Sequence, residues 1–285
     1  MIPSNTNLFR YEWPEGKRCA VIFSFDVDGE SPYLFSNASE QSAGIGELEQ
    51  RKFGPRVGVY RILDLLEQWE MPGSFYVPAY IAETYPELLP NIVANGHEVA
   101  MHGYLHERVD RLTFAENHAV MVKSFEIFGQ QLAKQTFGYR SPAWEMTPEL
   151  FDLLKEFNLQ YDSSLMGFDH PYEVNGIVEL PVQWLLDDAI FFRYTAGPRD
   201  KGAPTNPDQV LANWIQEFDG IRKYGGLFML TMHPWLTGRA QRIALLERLI
   251  QHIQQFDDVW CTTAEAVADY HKASSNRGSH VVNLG

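Results

Sequence analysis

An apolar run that ends in two carboxylates decides the fold: Cys19-Ala20-Val21-Ile22-Phe23-Ser24-Phe25-Asp26-Val27-Asp28. Its length and its apolar content predict a strand that is buried on both faces. Alternation along that strand would place Asp26 and Asp28 on one face at the carboxyl end, the end at which barrels of parallel strands hold their active sites. Taken alone, an Asp-x-Asp-Gly sequence also fits an ordinary Asx turn.

Strands and helices alternate along the rest of the chain. Further strands are predicted at 73–77, 98–101, 226–232 and 259–260, with extended segments near Tyr139 and at 159–162 and 177–180. Helical periodicity predicts helices over 57–69, 85–94, 113–135, 148–157, 209–223, 239–254 and 264–271. This alternation predicts an α/β fold with parallel strands, as either a barrel or a doubly wound sheet.

The chain is expected to form one domain, because no linker or charge-biased block interrupts the pattern. We place this domain at 1–272 and a polar, frayed tail at 273–285. Two stretches, 31–54 and 187–207, show neither a helical nor a strand period. Loops of that length in a compact domain are usually functional covers or oligomer contacts.

Composition excludes several classes of function. Of 285 residues, 45% are apolar, which is typical of a globular protein and excludes disorder over most of the length. The net charge of −14 opposes binding to phosphate backbones and anionic membranes, so neither nucleic acid nor membrane is expected as a partner. No secretory signal or bilayer-spanning apolar run is visible, and a cytoplasmic location is therefore predicted.

Three further strand ends carry polar side chains. His102 and His106 follow the third strand, and their spacing of four residues can direct both imidazoles at one metal ion. Two histidines and a carboxylate from another strand end form a ligand set that leaves positions open for water. Arg140 and His233 follow two later strands. Each motif alone also fits a surface helix or turn, but strand ends of an α/β fold converge on one rim, and together the motifs favour one active site.

These motifs, in this order, resemble the polysaccharide deacetylase superfamily (carbohydrate esterase family 4) over residues 19–271. The resemblance is greatest to a branch without export signals that includes peptidoglycan-deacetylase-like proteins, cyclic imidases and allantoinases of this fold. The sequences that point to this branch are His97-Glu98-Val99, Asp162-Ser163-Ser164-Leu165-Met166, Glu179-Leu180-Pro181-Val182-Gln183-Trp184 and Met232-His233-Pro234. The resemblance implies a distorted, incomplete (β/α) barrel in a single domain and a homotetramer.

The resemblance also implies a metal site. Asp28, His102 and His106 match the ligands of one divalent ion, with Zn²⁺ as the first expectation and Co²⁺, Ni²⁺ or Mn²⁺ as alternatives. Glycan deacetylases of the family usually have adjacent aspartates in the first motif, whereas Val27 separates them here. Allantoinases of this fold tend to lose the metal-binding aspartate. Because Asp28 is retained, a metal is still expected.

The same resemblance assigns the proton carriers. Asp26 matches the general base, Arg140 the residue that orients it, and His233 the general acid, in the hydrolysis of an amide carbon–nitrogen bond. The aspartate that usually partners the acid histidine has no clear match. Asp187 and Asp188 lie in the right stretch, and neither is assigned.

The predicted substrate is a small cyclic amide, such as an imide or a ureide. The alternative is N-deacetylation of peptidoglycan or another N-acetylated amino sugar, and a third hypothesis is an inactive metal-binding assembly protein. The absent signal, the acidic charge and the long covering loops favour the small substrate. The candidate pocket residues are Trp144, Trp184, Trp235 and His170.

Overall fold

The structure, a computed structural model, describes residues 11–38, 44–196, 202–274 and 280–284. The sequence-based expectations for the amino terminus, and for parts of 31–54, 187–207 and the tail 273–285, therefore fall on residues outside this description. Within it, the centre of the molecule is a parallel sheet. Its strands are β1 (Cys19–Asp26), β2 (Gly73–Val77), β3 (Glu98–Met101), β6 (Leu227–Met232) and β7 (Val259–Cys261).

The sheet brings the carboxyl ends of its central strands to one level. The strand order is β3-β2-β1-β6, and β7 pairs with the beginning of β1. Asp26 at the end of β1 lies opposite Tyr76 of β2, while Phe25 lies opposite Met232 of β6. Polar residues that follow these strands therefore meet at the same edge, as the sequence predicted.

Isolated parallel bridges continue the sheet beyond β3 and curve it into a barrel. These bridges are Met101–Tyr139, Tyr139–Asp162, Asp162–Glu179 and Asp187–Thr231. The last of them returns the chain to β6. An open groove of about 450 Å³ is lined by Val182 and Met229 among others, and so lies between the segment at 181–186 and β6. The fold is thus the predicted α/β class with a distorted, incomplete barrel.

Helices cover the outer face of the sheet. They are α1 (Ser31–Ser36), α2 (Ile45–Phe53), α3 (Val59–Gln68), α4 (Ala79–Thr84), α5 (Leu88–Ala94), α6 (Phe114–Gln131), α7 (Pro148–Glu156), α8 (Ala189–Phe192), α9 (Pro207–Tyr224), α10 (Pro234–Thr237), α11 (Ala240–Ile253) and α12 (Ala264–Ala273). A small second sheet has the order β5-β4-β8 and is made of β4 (Tyr172–Val174), β5 (Ile177–Glu179) and β8 (Val281–Val282).

Two expectations about irregular segments, for 31–54 and for the tail, are wrong in the described residues. The stretch 31–54 holds α1 and α2, and a π-helical turn at Gly54–Gly58 joins α2 to α3. The stretch 187–207 contains the single turn of α8 and is otherwise irregular in its described part before α9, as expected. In the tail, β8 pairs with β4 instead of fraying. A short helix has too few turns to show a helical period in the sequence, and its stability comes from tertiary packing.

Alternation along β1 divides the core into two parts. Val21 and Phe23 face the helices and belong to the larger cluster of buried apolar side chains. Ala20 and Ile22 face the barrel interior, where they pack in a smaller cluster that includes Tyr76. Further along the same inward face the side chains become polar, so the interior changes from apolar to polar towards the carboxyl end. None of the described helices is long and apolar enough to cross a membrane.

Candidate active site

Asp28, His102 and His106 converge at the carboxyl ends of β1 and β3. The Nε2 atom of His102 lies 3.4 Å from Oδ1 of Asp28, and Nε2 of His106 lies 3.5 Å from Oδ2. One donor atom from each of the three residues lies within 4.8 Å of the other two. Asp28 is buried, and its Oδ1 accepts no hydrogen bond from any described residue. A buried carboxylate oxygen without a donor is costly unless a cation or water satisfies it, so these residues fit a divalent ion.

The two imidazoles differ in how they are held. Nδ1 of His102 donates to the carbonyl of Arg140 at 2.7 Å, which leaves Nε2 free to bind a metal. Burial lowers the pKa of His106 to about 4, so its imidazole is neutral at physiological pH, as a metal ligand must be. Burial would also lower the pKa of His102, but the carboxylates of Asp26 and Asp28 raise it above the ordinary value.

Asp26 pairs with a fully buried arginine and lies beside the Asp28, His102 and His106 cluster. Nη1 of Arg140 donates to Oδ1 of Asp26 at 2.7 Å, and the guanidinium lies 3.8 Å from the centre of the Tyr76 ring. The other guanidinium nitrogens donate to the carbonyl and hydroxyl of Ser163. Because the arginine is held on several sides, Asp26 is fixed in place with its Oδ2 3.9 Å from Nε2 of His102.

His233 follows β6 and is held by Asp188. Its Nδ1 lies 2.7 Å from Oδ1 of Asp188, and Oδ2 of the same carboxylate accepts the backbone N–H of His233 and the hydroxyl of Thr237. Nε2 of His233 points to the ligand cluster and lies 3.7 Å from Oδ2 of Asp28. Burial alone would lower the pKa of His233, but the neighbouring carboxylates, Asp188 above all, raise it well above the ordinary value.

The partner of His233, which sequence analysis left open, is therefore Asp188. The neighbouring Asp187 lies on the same side of the imidazole, with Oδ1 3.8 Å from Nδ1 of His233, and that oxygen accepts the N–H of Ala189. Burial raises the pKa of Asp187 to about 7. The sequence indicated this partner only through two adjacent acidic residues. The bridge between Asp187 and Thr231 places both beside the end of β6, where Asp188 makes the hydrogen bond to the histidine.

The backbone of Gly58 lies in close contact with that of Pro234, the residue that directly follows His233. A Cβ atom on Gly58 would lie 2.1 Å from the carbonyl oxygen of Pro234, and one on Gly238 would lie 2.4 Å from Cα of Gly58. Gly54 approaches the backbone of Trp235 in the same way. The π-helical turn therefore packs directly on the turn that follows His233.

The candidate pocket residues lie in different places. The rings of Trp144 and Trp184 are 4.4 Å apart, with Trp144 buried and Trp184 48% exposed. Trp235 is buried under α2, where the guanidinium of Arg51 lies 4.9 Å from its ring centre. Trp144 belongs to the interior cluster and Trp235 to the helix-facing one, so the three rings do not form one wall.

His170 is not brought to the site. Its Nε2 lies 3.1 Å from Nδ1 of His280, and its neighbour Asp169 accepts the N–H of Leu227 through its carbonyl. Leu227 begins β6, whereas His233 follows the end of that strand. The structure thus places His170 at the amino-terminal end of the barrel, which corrects the prediction that it lines the pocket.

Comparisons with known proteins agree with this geometry. The family model described as polysaccharide deacetylase matches residues 53–161. A crystal structure of a protein from Mycobacterium smegmatis, described as a polysaccharide deacetylase, is 37% identical, covers 93% of both chains and has a TM-score of 0.87. The chain belongs to the polysaccharide deacetylase family.

Other members of this family and fold are more distant. The peptidoglycan deacetylase of Helicobacter pylori is 27% identical over 92% of this chain and 99% of its own length. The structure of PuuE allantoinase is 21% identical with a TM-score of 0.80 over 92% of this chain and 93% of its own, a likeness of fold. The protein is accordingly a deacetylase-family hydrolase of carbon–nitrogen bonds other than peptide bonds, and it carries a candidate Asp/His metal site.

Proposed function

We propose that the protein is a metal-dependent hydrolase that cleaves the amide bond of a small substrate. One observation carries this proposal: the Asp28, His102 and His106 cluster lies between a carboxylate held by a buried arginine and a histidine held by a buried aspartate. A metal site with a base and an acid on either side is the arrangement that amide hydrolysis requires.

The residues of this chain supply the proton transfers. A divalent ion bound to the three ligands would act as a Lewis acid towards water and the substrate carbonyl. Asp26 accepts the proton of the attacking water, and Arg140 keeps that carboxylate aimed at it. Asp188 raises the pKa of His233 well above its ordinary value and so favours the imidazolium, whose Nε2 can donate a proton to the departing nitrogen.

A small cyclic amide, an imide or a ureide, is the first candidate substrate. The net charge of −14 disfavours docking on an anionic envelope polymer. Zn²⁺ is the metal that we expect, while a cytoplasmic location and a homotetramer remain predictions.

N-deacetylation of peptidoglycan or another N-acetylated sugar is the second candidate. The name of the Helicobacter pylori relative, which matches 92% of this chain, favours it. Both reactions use the same attack on a carbonyl and the same protonation of a nitrogen, so the residues assigned above serve either one. Only the shape of the substrate site separates the two.

A side-by-side assay distinguishes the candidates. Purified protein supplied with Zn²⁺ is incubated with succinimide, glutarimide, hydantoin, allantoin, chitooligosaccharides and peptidoglycan fragments, with His106→Ala as the control. We expect turnover of at least one ring compound by the native protein and none by the variant. Turnover of the glycans alone would select the deacetylase, and turnover that survives in His106→Ala would reject the metal-dependent mechanism.

A further inference from the structure

We propose that Glu107 is a positioning residue that holds the His106 imidazole in its metal-binding place. Glu107 directly follows the second predicted ligand, and its side chain is buried. Its carboxylate turns back on the loop: Oε2 accepts the N–H of Tyr104 at 3.0 Å, and Oε1 accepts the N–H of Leu105 at 2.8 Å. One carboxylate therefore satisfies two successive N–H groups of the loop that joins His102 to His106.

That loop has a backbone that needs support. His106 has φ +62°, in the left-handed region that non-glycine residues rarely adopt, and Gly103 has φ +70°. Residues in this region persist only when surrounding contacts hold them there. The carbonyls of Gly103 and Tyr104 accept hydrogen bonds from N–H groups of α4. The N–H groups of Tyr104 and Leu105 donate to Glu107.

The imidazoles of His102 and His106 differ in how they are oriented, and this difference explains why the loop around His106 needs the hydrogen bonds to Glu107. His102 is oriented through its own ring, by the hydrogen bond from Nδ1 to the carbonyl of Arg140. Among the residues that the structure describes, no hydrogen bond holds Nδ1 of His106. The placement of the His106 ring therefore relies on its backbone and on the contact of Nε2 with Asp28, and Glu107 supports that backbone as the Arg140 carbonyl supports the ring of His102.

Glu107 also lies close to the glycine at the start of the loop. A Cβ on Gly103 would lie 3.1 Å from Oε2 of Glu107 and 3.2 Å from Cγ of Pro142. The carboxylate and Pro142, in the turn that follows Arg140, therefore both lie close to Gly103. Loss of the carboxylate would release both N–H groups and let His106 relax towards an ordinary conformation.

The test measures metal binding directly, and it rests on the metal site of the proposed function. Zn²⁺ dissociation constants are measured by competition with a chelating indicator for metal-free native protein, Glu107→Ala and Glu107→Gln. Asp110→Ala is the matched control, because Asp110 is an exposed carboxylate three residues further on whose partner is Arg108. Visible spectra of the Co²⁺-substituted proteins report the coordination geometry.

We expect Zn²⁺ affinity to fall about 10- to 100-fold in Glu107→Ala, the usual scale for loss of a group that orients a metal ligand. Glu107→Gln keeps one acceptor oxygen and should fall in between, while Asp110→Ala should match the native protein. The Co²⁺ spectrum should change in the two Glu107 variants alone, and excess metal should restore occupancy. If Glu107→Ala does not fold, Glu107→Gln decides the question.

Two negative results are distinguishable. Native affinity and a native Co²⁺ spectrum in a folded Glu107 variant would overturn the positioning role and leave the proposed function intact. Failure of the native protein to bind any divalent ion would overturn both the positioning role and the metal dependence of the proposed function.

Discussion

Substitution of Gly58 by alanine tests whether the π-helical turn positions His233, the proposed catalytic acid. The new Cβ would lie 2.1 Å from the carbonyl oxygen of Pro234, whereas real Cβ atoms stay at 3.0 Å or more from such an atom, so the contact must open by about 0.9 Å. Pro234 directly follows His233, and neither side of the contact is a flexible side chain. The imidazole must therefore shift with the backbone.

The expected loss follows from this displacement. A misplacement of about 1 Å at a reacting group can cost on the order of 10²-fold in rate. We expect kcat to fall by about that factor. Because the three proposed metal ligands lie on other loops, Zn²⁺ affinity should stay within about threefold of native, a change of less than about 1 kcal/mol. Forced overpacking should also lower the free energy of unfolding by about 1–3 kcal/mol.

Gly46→Ala provides the matched control. Gly46 lies in α2 of the same helical run, and a Cβ at that position meets nothing within 4 Å. This variant should keep native activity and gain up to about 1 kcal/mol of stability, because alanine is the better helix former.

A second substrate distinguishes displacement of His233 from a general loss of active-site structure. An activated aryl ester has a leaving group that needs no protonation, so the loss in Gly58→Ala should be much smaller on an aryl acetate than on an amide. Native amide turnover in Gly58→Ala, or an equal loss on both substrates, would refute the conclusion that this contact places His233.

Three further predictions concern the remaining residues of the site. His102→Ala and His106→Ala should each lose the bound metal by elemental analysis, and full retention in both would reject the ligand assignment. Asp26→Asn should keep its metal and lose about 10²–10⁴ in kcat, the scale of a missing acid–base group; a variant without metal would instead make Asp26 a ligand. Because burial raises the pKa of Asp187 from 3.8 to about 7, the folded state keeps a proton that the unfolded chain has released in this window. The stability of metal-free protein should therefore fall between about pH 4 and pH 7 by at most about 4 kcal/mol, and urea unfolding of Asp187→Asn should lack that component.

The sequence by itself determined the fold class and the residues at the strand ends. An eight-residue buried strand, Cys19–Asp26, and regular alternation with helices are local patterns, and parallel strands leave few other ways to bury both faces. Asp26, Asp28, His102 and His233 each end or follow a strand, so their convergence on one rim was predictable from topology.

Only the tertiary structure decided which groups hold those residues in place. Both Asp187 and Asp188 lie beside Nδ1 of His233, but Asp188 makes the hydrogen bonds to the histidine, and its own backbone N–H is held by the carbonyl of Thr231. His170, which the sequence offered as a candidate pocket residue, lies at the opposite end of the barrel.

The close approach of Gly58 to Pro234 was equally hidden, because it joins segments about 180 residues apart through backbone atoms, which leave no periodicity in the sequence. Periodicity and strand order report which face of an element is buried. They carry no information on contacts at the level of single atoms between distant segments, and it is those contacts that orient the acid and the base.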